Sequence, residues 1–159
     1  MNKKHMKNIL DVSGDKIEKM RSTGPGIRIL LVDCSDAEMR FFRYEIEKIK
    51  GLKVVGMARD VHQARQMVKS LNPDLLIMDI LDPRSGGIGF LKRLHHFHPL
   101  PVILISPMSK VPFQMVVSAF KLGAIRIIDK ESPDVFRRNN SPFQGLPFFG
   151  QIKKSAVSF

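Results

Sequence analysis

Four short hydrophobic runs in this chain each end in a polar group that could contact a charged ligand. The polar groups are Asp33 after residues 27–32, Asp79 after residues 75–78, Ser106 after residues 102–105, and the Asp129-Lys130 pair after residues 125–128. Carboxylates accept hydrogen bonds and hold cations, a hydroxyl both donates and accepts, and an ammonium pairs with anions. The set therefore suits a polar site, provided that folding brings its members together.

The hydrophobic runs themselves indicate how that would happen. They are rich in Ile, Leu and Val with little polar alternation, which is typical of strands buried on both faces of a sheet. Segments with helical periodicity separate them, and alternation of strands and helices implies parallel strands with right-handed crossovers. Because all carboxyl ends of parallel strands lie at one edge, the four polar groups should converge in a crevice where ligands bind.

Capping and stop signals place the other elements between these runs. The predicted elements are a helix capped by Ser35 or Asp36 and running to about residue 50, a strand at 53–57, a helix after Asp60 ending at Asn72-Pro73, a helix at about 88–95, and a helix at about 111–122. A fifth helix should start near Pro133, but Asn139 to Pro142 would end it after about two turns.

Composition narrows the class of protein. The net charge is +11, but no dense Lys/Arg block resembles a nucleic-acid-binding arm, so we expect no specific nucleic-acid partner. The single cysteine, Cys34, excludes an internal disulfide and suits a reducing cytoplasm. No stretch approaches the roughly 18 apolar residues of a membrane span. We therefore expect a cytoplasmic protein with no membrane partner.

Five segments, in order, give the chain a resemblance to the receiver domain of two-component response regulators. The segments are Ile27 to Ser35, Asn72 to Asp79, Asp82-Pro83-Arg84 with Gly89-Phe90-Leu91, Pro101 to Ser106, and Leu122 to Ile125. Within that family, the chain resembles the receiver of the chemotaxis protein-glutamate methylesterase. The resemblance covers a receiver at 27–133. The polar segment before it, which ends in Gly24-Pro25-Gly26, is expected to be a mobile tail at 1–26, and the segment after it a truncated last helix with a poorly ordered tail at 134–159.

The resemblance implies a fold and a reaction. The fold is an α/β flavodoxin-like, doubly wound sheet of five parallel strands in the order 2-1-3-4-5, here with a short or absent fifth helix. The reaction is transfer of a phosphoryl group from a histidine kinase to Asp79, assisted by Ser106 and Lys130, within a chemotaxis-like phosphorelay that signals to a downstream protein. Positioning and charge neutralisation would supply most of the catalysis.

The resemblance also implies an Mg²⁺ site, and here the chain departs from the family. The metal would be held by Asp33, Asp79 and the backbone carbonyl of Leu81, but Cys34 stands where a second acid is expected. Since Mg²⁺ prefers hard oxygen ligands, its binding should be weak or lost. Asp36 lies nearby in sequence, but the first helix should carry it away from the crevice.

Two other departures keep a second interpretation open. Ile127 replaces an aromatic residue that reports phosphorylation, and Glu131 replaces a proline after Lys130. A cis bond before Glu131 would be costly, so we expect a trans bond and a shifted Lys130 loop. The alternative is a degenerate receiver that acts as a phosphorylation-independent interaction module, or a truncated product with no role.

Two further motifs are expected to have no function. The Ser22-Thr23-Gly24 segment resembles the serine turn of the methylesterase, but it lies before the first strand, and the catalytic half of that enzyme is missing from the sequence. No separate enzymatic activity is therefore assigned. His95, His96 and His98 lie together without a nearby acid, so we expect solvent-exposed side chains and no metal site.

Overall fold

The computed structural model describes residues 26–82 and 86–131. The tail predicted at 1–26, apart from Gly26, lies outside the described residues, as do the predicted fifth helix and the C-terminal region at 134–159. Within the described part, no helix has the length and apolar character needed to cross a membrane.

The sheet has the topology that the sequence predicts. Its strands are β1 (Ile27–Val32), β2 (Leu52–Ala58), β3 (Leu75–Met78), β4 (Val102–Ser106) and β5 (Ala124–Asp129). All neighbouring strands are parallel, and their order is β2-β1-β3-β4-β5. Each hydrophobic run forms one strand, and β3 and β4 are buried along their whole length. The predicted flavodoxin-like α/β fold is therefore confirmed.

Four α-helices flank the sheet in the described part of the chain. They are α1 (Asp36–Glu47), α2 (Val61–Leu71), α3 (Gly87–Phe97) and α4 (Phe113–Lys121), with a 3₁₀ turn at Met108–Lys110. Alternate strand residues face opposite sides, which creates two hydrophobic cores. Met39, Phe42 and Ile46 of α1 pack in one core. The other three helices pack in the second core with Leu30, Leu76 and Leu104, among others.

Local chemistry sets where the helices begin and end. Ser35 caps α1 and Asp60 caps α2, each through a side-chain oxygen that accepts a backbone N–H three residues later. Asn72 adopts a left-handed conformation with φ 45° and ends α2. The fourth helix starts at Phe113 rather than at about 111, because Pro112 forces Val111 into an extended conformation.

The register brings the carboxyl ends of the strands together. Val32 pairs with Met78, and Ser106 pairs with Asp129, so the residues that follow β1, β3 and β5 emerge at the same edge as Ser106. The convergence of polar groups predicted from the sequence therefore follows directly from the strand pairing.

Candidate functional site

The backbone of the site residues is an extension of the sheet. Asp33 N–H donates to the Ala58 carbonyl over 3.1 Å, Asp79 N–H to the Val32 carbonyl over 3.3 Å, and Lys130 N–H to the Ser106 carbonyl over 3.1 Å. Asp33, Asp79 and Lys130 thus each continue the hydrogen-bond ladder by one residue. Together with Ser106 they line what we term the carboxyl-edge crevice.

Both carboxylate oxygens of Asp79 have bonding partners. Ser106 Oγ donates to Asp79 Oδ1 over 2.6 Å, and the backbone N–H of Leu81 donates to the same oxygen over 2.9 Å. Lys130 Nζ lies 3.0 Å from Asp79 Oδ2. The side chain of Asp79 is 12% exposed, so it is mostly enclosed but accessible from the crevice.

Lys130 is shared by three carboxylates. Its Nζ lies 2.8 Å from Asp33 Oδ2 and 3.0 Å from Asp79 Oδ2, and it also contacts Glu38 Oε2. Burial lowers the pKa of Lys130, but the bonds to Asp33, Glu38 and Asp79 outweigh burial and leave the pKa raised above 10.5. The ammonium therefore stays protonated at neutral pH.

Glu38 is a member of this cluster that the sequence prediction missed. Burial raises the pKa of its carboxyl above 4.5, the Lys130 bond opposes that effect, and the neighbouring Asp33 adds to it. A signal for its position exists in the sequence, since Ser35-x-x-Glu38 is a helix capping-box pattern. That pattern places Glu38 in the first turn of α1, which begins beside the crevice.

A candidate metal-binding group lies next to this cluster. Donor atoms of Asp33, Cys34 and Asp82 all lie within 4.8 Å of one another, with Asp33 and Asp82 buried and Cys34 exposed. The sequence prediction included Asp33 and Cys34 but not Asp82, which follows Asp79 by three residues. No spacing pattern indicates Asp82, since the loop after β3 brings it there.

The chemistry of these donors fits Mg²⁺ only in part. The oxygens of Asp33, Asp79 and Asp82 are the hard ligands that Mg²⁺ prefers, but the Cys34 thiol is not. The Lys130 ammonium already contacts Asp33 and Asp79. A cation at this site would therefore share both carboxylates with Lys130.

The remaining predicted residues lie as follows. Asp36 turns away from the crevice, as expected, and accepts a hydrogen bond from Arg59 over 2.6 Å. Ile127 is half-buried and packs against the second core. The bond before Glu131 is trans, and Lys130 nevertheless reaches Asp33 and Asp79.

The three neighbouring histidines His95, His96 and His98 are exposed, as the sequence predicts. None of them belongs to the metal-binding group found in the described residues.

The sequence matches a known family model over most of the described region. The model for the response regulator receiver domain matches residues 29–137. The chain is 42% identical over 104 residues to a protein-glutamate methylesterase/protein-glutamine glutaminase 2 of Saccharophagus degradans, covering 65% of this chain and 30% of that protein. A protein of the same name from Vibrio vulnificus is 38% identical over 106 residues, covering 67% of this chain and 31% of that protein. The chain thus spans about a third of the length of these relatives.

Solved structures show the same fold. The response regulator domain of Thermotoga maritima CheB superposes with a TM-score of 0.61 at 28% identity, covering 83% of this chain and 91% of that one. The receiver domain of the NarL regulator from Mycobacterium tuberculosis superposes with a TM-score of 0.63 at 20% identity, covering 86% of this chain and all of that one.

Proposed function

Because the chain belongs to the response regulator receiver domain family, we propose that Asp79 accepts a phosphoryl group in a two-component phosphorelay. Receiver domains of this family interact with histidine kinases and with effector domains. The similarity to protein-glutamate methylesterases favours a chemotaxis-like pathway, with a histidine kinase as donor and a protein target downstream, in the cytoplasm.

One observation carries this proposal, namely that the same carboxylate contacts both a hydroxyl and an ammonium. Ser106 Oγ lies 2.6 Å from Asp79 Oδ1, and Lys130 Nζ lies 3.0 Å from Asp79 Oδ2. These are the donors that a phosphoryl group on Asp79 would require for its own oxygens. A carboxylate that only ends a loop would not need a fully buried hydroxyl and a shared ammonium.

The transfer step follows from these contacts. An oxygen of Asp79 attacks phosphorus, the bond from phosphorus to the donor breaks, and the leaving group departs with the bonding electron pair. Ser106 Oγ then donates to one phosphoryl oxygen and Lys130 Nζ to another. The hydroxyl stabilises the negative charge as it shifts by hydrogen bonding, the ammonium neutralises part of it, and the crevice holds both groups in position beforehand.

Mg²⁺ would be held by Asp33, Asp79 and the Leu81 carbonyl, and Asp82 offers a further carboxylate beside them. When bound, the ion would supply charge neutralisation for the phosphoryl oxygens. Because Cys34 provides a soft donor in place of an acid, we propose that Mg²⁺ binds more weakly than it would to a site with two adjacent acids.

Phosphoryl labelling tests the assignment of Asp79. Incubation with Mg²⁺ and acetyl phosphate should add one acid-stable, base-labile phosphoryl group, detected by intact mass. Asp79→Asn should abolish the labelling, and Asp36→Asn should not, because Asp36 pairs with Arg59 outside the crevice. Equal labelling of wild type and Asp79→Asn would refute the assignment.

A second candidate function is a phosphorylation-independent interaction module, and Cys34 favours it. The thiol lies exposed at the position of the expected acid, beside Asp33 and Asp82. An Mg²⁺ titration distinguishes the two functions. Failure of the wild type to bind Mg²⁺ or to be labelled, with recovery of both in Cys34→Asp, would support this second candidate and contradict the first.

A further inference from the structure

We propose that Glu38 competes with the phosphoryl group for the Lys130 ammonium, and so limits how readily Asp79 becomes phosphorylated. The inference rests on the proposed function, because it concerns the same carboxylate and the same ammonium. It adds a positioning residue that acts on the reaction through Lys130 and that lies on a helix rather than at the sheet edge.

The Glu38 carboxylate is available to Lys130 because its usual capping contact does not form. In a capping box, the glutamate at this position would accept the backbone N–H of the capping residue, here Ser35. In this protein that N–H donates instead to Asp33 Oδ1 over 2.9 Å. Only half of the box forms, through the Glu38 N–H to Ser35 Oγ at 3.3 Å. The Glu38 carboxylate bonds Lys130 instead.

All three N–H donors of the Lys130 ammonium are matched by carboxylates. An ammonium has three N–H groups, and Lys130 contacts three carboxylates, those of Asp33, Glu38 and Asp79. A phosphoryl group on Asp79 brings new oxygens to the same place. One of the present contacts must therefore be given up before Lys130 can donate to the phosphoryl group.

Exposure indicates that Glu38 is the partner that gives up its contact with Lys130. Its side chain is 32% exposed, whereas those of Asp33 and Asp79 are 8% and 12% exposed. Asp33, which lies 2.8 Å from Lys130 Nζ, remains to hold Lys130 in the crevice when the Glu38 contact is lost.

Phosphoryl labelling and anion binding together test this competition. The variant is Glu38→Gln, and the matched control is Glu47→Gln, which removes the same charge from the same helix at an exposed pair with Arg43. Acetyl phosphate with Mg²⁺ should label Glu38→Gln about fivefold faster than wild type, the size expected for one partly exposed charge pair. Glu47→Gln should be labelled at the wild-type rate.

A second measurement does not depend on covalent labelling. Orthophosphate is titrated into each protein, and binding is followed by the NMR signals of the Ile80 and Leu81 amides, which line the crevice. Orthophosphate should bind Glu38→Gln about fivefold more tightly than wild type. Urea unfolding of each variant checks that the proteins compared are folded.

The outcomes separate the two proposals. If neither wild type nor Glu38→Gln is labelled but the variant binds orthophosphate more tightly, the phosphoacceptor assignment fails and the competition stands. If Glu38→Gln binds orthophosphate no more tightly than wild type, or if both proteins are labelled and the variant is labelled at the same rate or more slowly, the competition is overturned.

Discussion

Ser106, the last residue of β4, donates a hydrogen bond of 2.6 Å from its hydroxyl to Oδ1 of Asp79, which directly follows the central strand β3. The same hydroxyl oxygen accepts the backbone N–H of Ile80 over 3.0 Å. Ser106 is fully buried, so both of these contacts are shielded from water. A single side chain therefore fixes the carboxylate and the start of the loop that follows it.

Replacing Ser106 with alanine should reduce both stability and phosphorylation. The change leaves the buried Ile80 N–H without its acceptor, which should lower the free energy of unfolding by about 1–3 kcal/mol. It also removes a donor to Asp79, so labelling by acetyl phosphate should slow. Urea denaturation and intact mass measure the two effects. Ser106→Thr retains the hydroxyl, and a loss of labelling as severe as that of Ser106→Ala would contradict the role of the hydrogen bond.

The pH dependence of the free energy of unfolding should show that folding raises the pKa of Glu38. Since folding raises the pKa of Glu38 above 4.5, folding favours the protonated carboxyl, and its stabilising contribution is complete below pH 4.5 and lost as the pH rises through the folded pKa. Glu38→Gln cannot titrate, so the stability of wild type relative to this variant should fall as the pH rises above about 4.5. Lys130 stays charged throughout, because its pKa is raised above 10.5.

Urea unfolding of both proteins across this pH range measures the difference, because other titrating groups are common to both and cancel. A difference that stays constant with pH, or that changes in favour of wild type as the pH rises, would show that Glu38 is not held in the buried cluster.

Restoring an acid at position 34 should strengthen Mg²⁺ binding. Cys34→Asp replaces a soft donor with a hard carboxylate beside Asp33 and Asp82, so we expect at least about tenfold tighter binding, or about 1.4 kcal/mol. Cys34→Ser, which removes the thiol without adding a charge, should gain much less. Isothermal titration calorimetry measures both, and equal affinities in the two variants would show that position 34 does not face the cation.

Cys34 should react slowly with a neutral alkylating reagent at pH 7. The carboxylates of Asp33 and Asp82 approach the thiol within 4.8 Å, and negative neighbours disfavour the thiolate that reacts. Asp82→Asn should therefore speed alkylation by iodoacetamide several-fold, on the order of one neighbouring charge. Glu47→Gln, remote from the crevice, should have no effect. Rapid alkylation of wild type would show that the carboxylates do not surround the thiol in solution.

The sheet could be predicted from the sequence because the strands coincide with short runs of hydrophobic residues. Runs such as Leu75–Met78 are buried on both faces, so their composition alone distinguishes them from exposed segments. Because the strands are parallel, their carboxyl ends lie at one edge of the sheet. The grouping of Asp33, Asp79, Ser106 and Lys130 at that edge could therefore be predicted without knowledge of any side-chain contact.

Glu38 and Asp82 could not be predicted in the same way, because their positions depend on tertiary contacts. The pattern around Ser35 indicates a capping box, and only the orientation of Asp33 decides that Glu38 bonds Lys130 instead. Asp82 approaches Cys34 because the loop after β3 turns towards β1. The helix α4 begins at Phe113 instead of at about residue 111 for a simpler reason. The helical periodicity of the sequence includes residue 111, but Val111 is extended because a proline follows it.

The ladder bonds that continue the sheet through Asp33, Asp79 and Lys130 make the site sensitive to chain length. Successive side chains of a strand point to opposite faces, so inserting or deleting one residue within β3 would turn Asp79 towards the other side of the sheet. A substitution keeps the chain length and hence the direction of each side chain, and Cys34, in place of the expected acid, is an example. Over evolutionary time, viable insertions in this protein should therefore be confined to the loops, while the strands that carry the crevice keep their lengths.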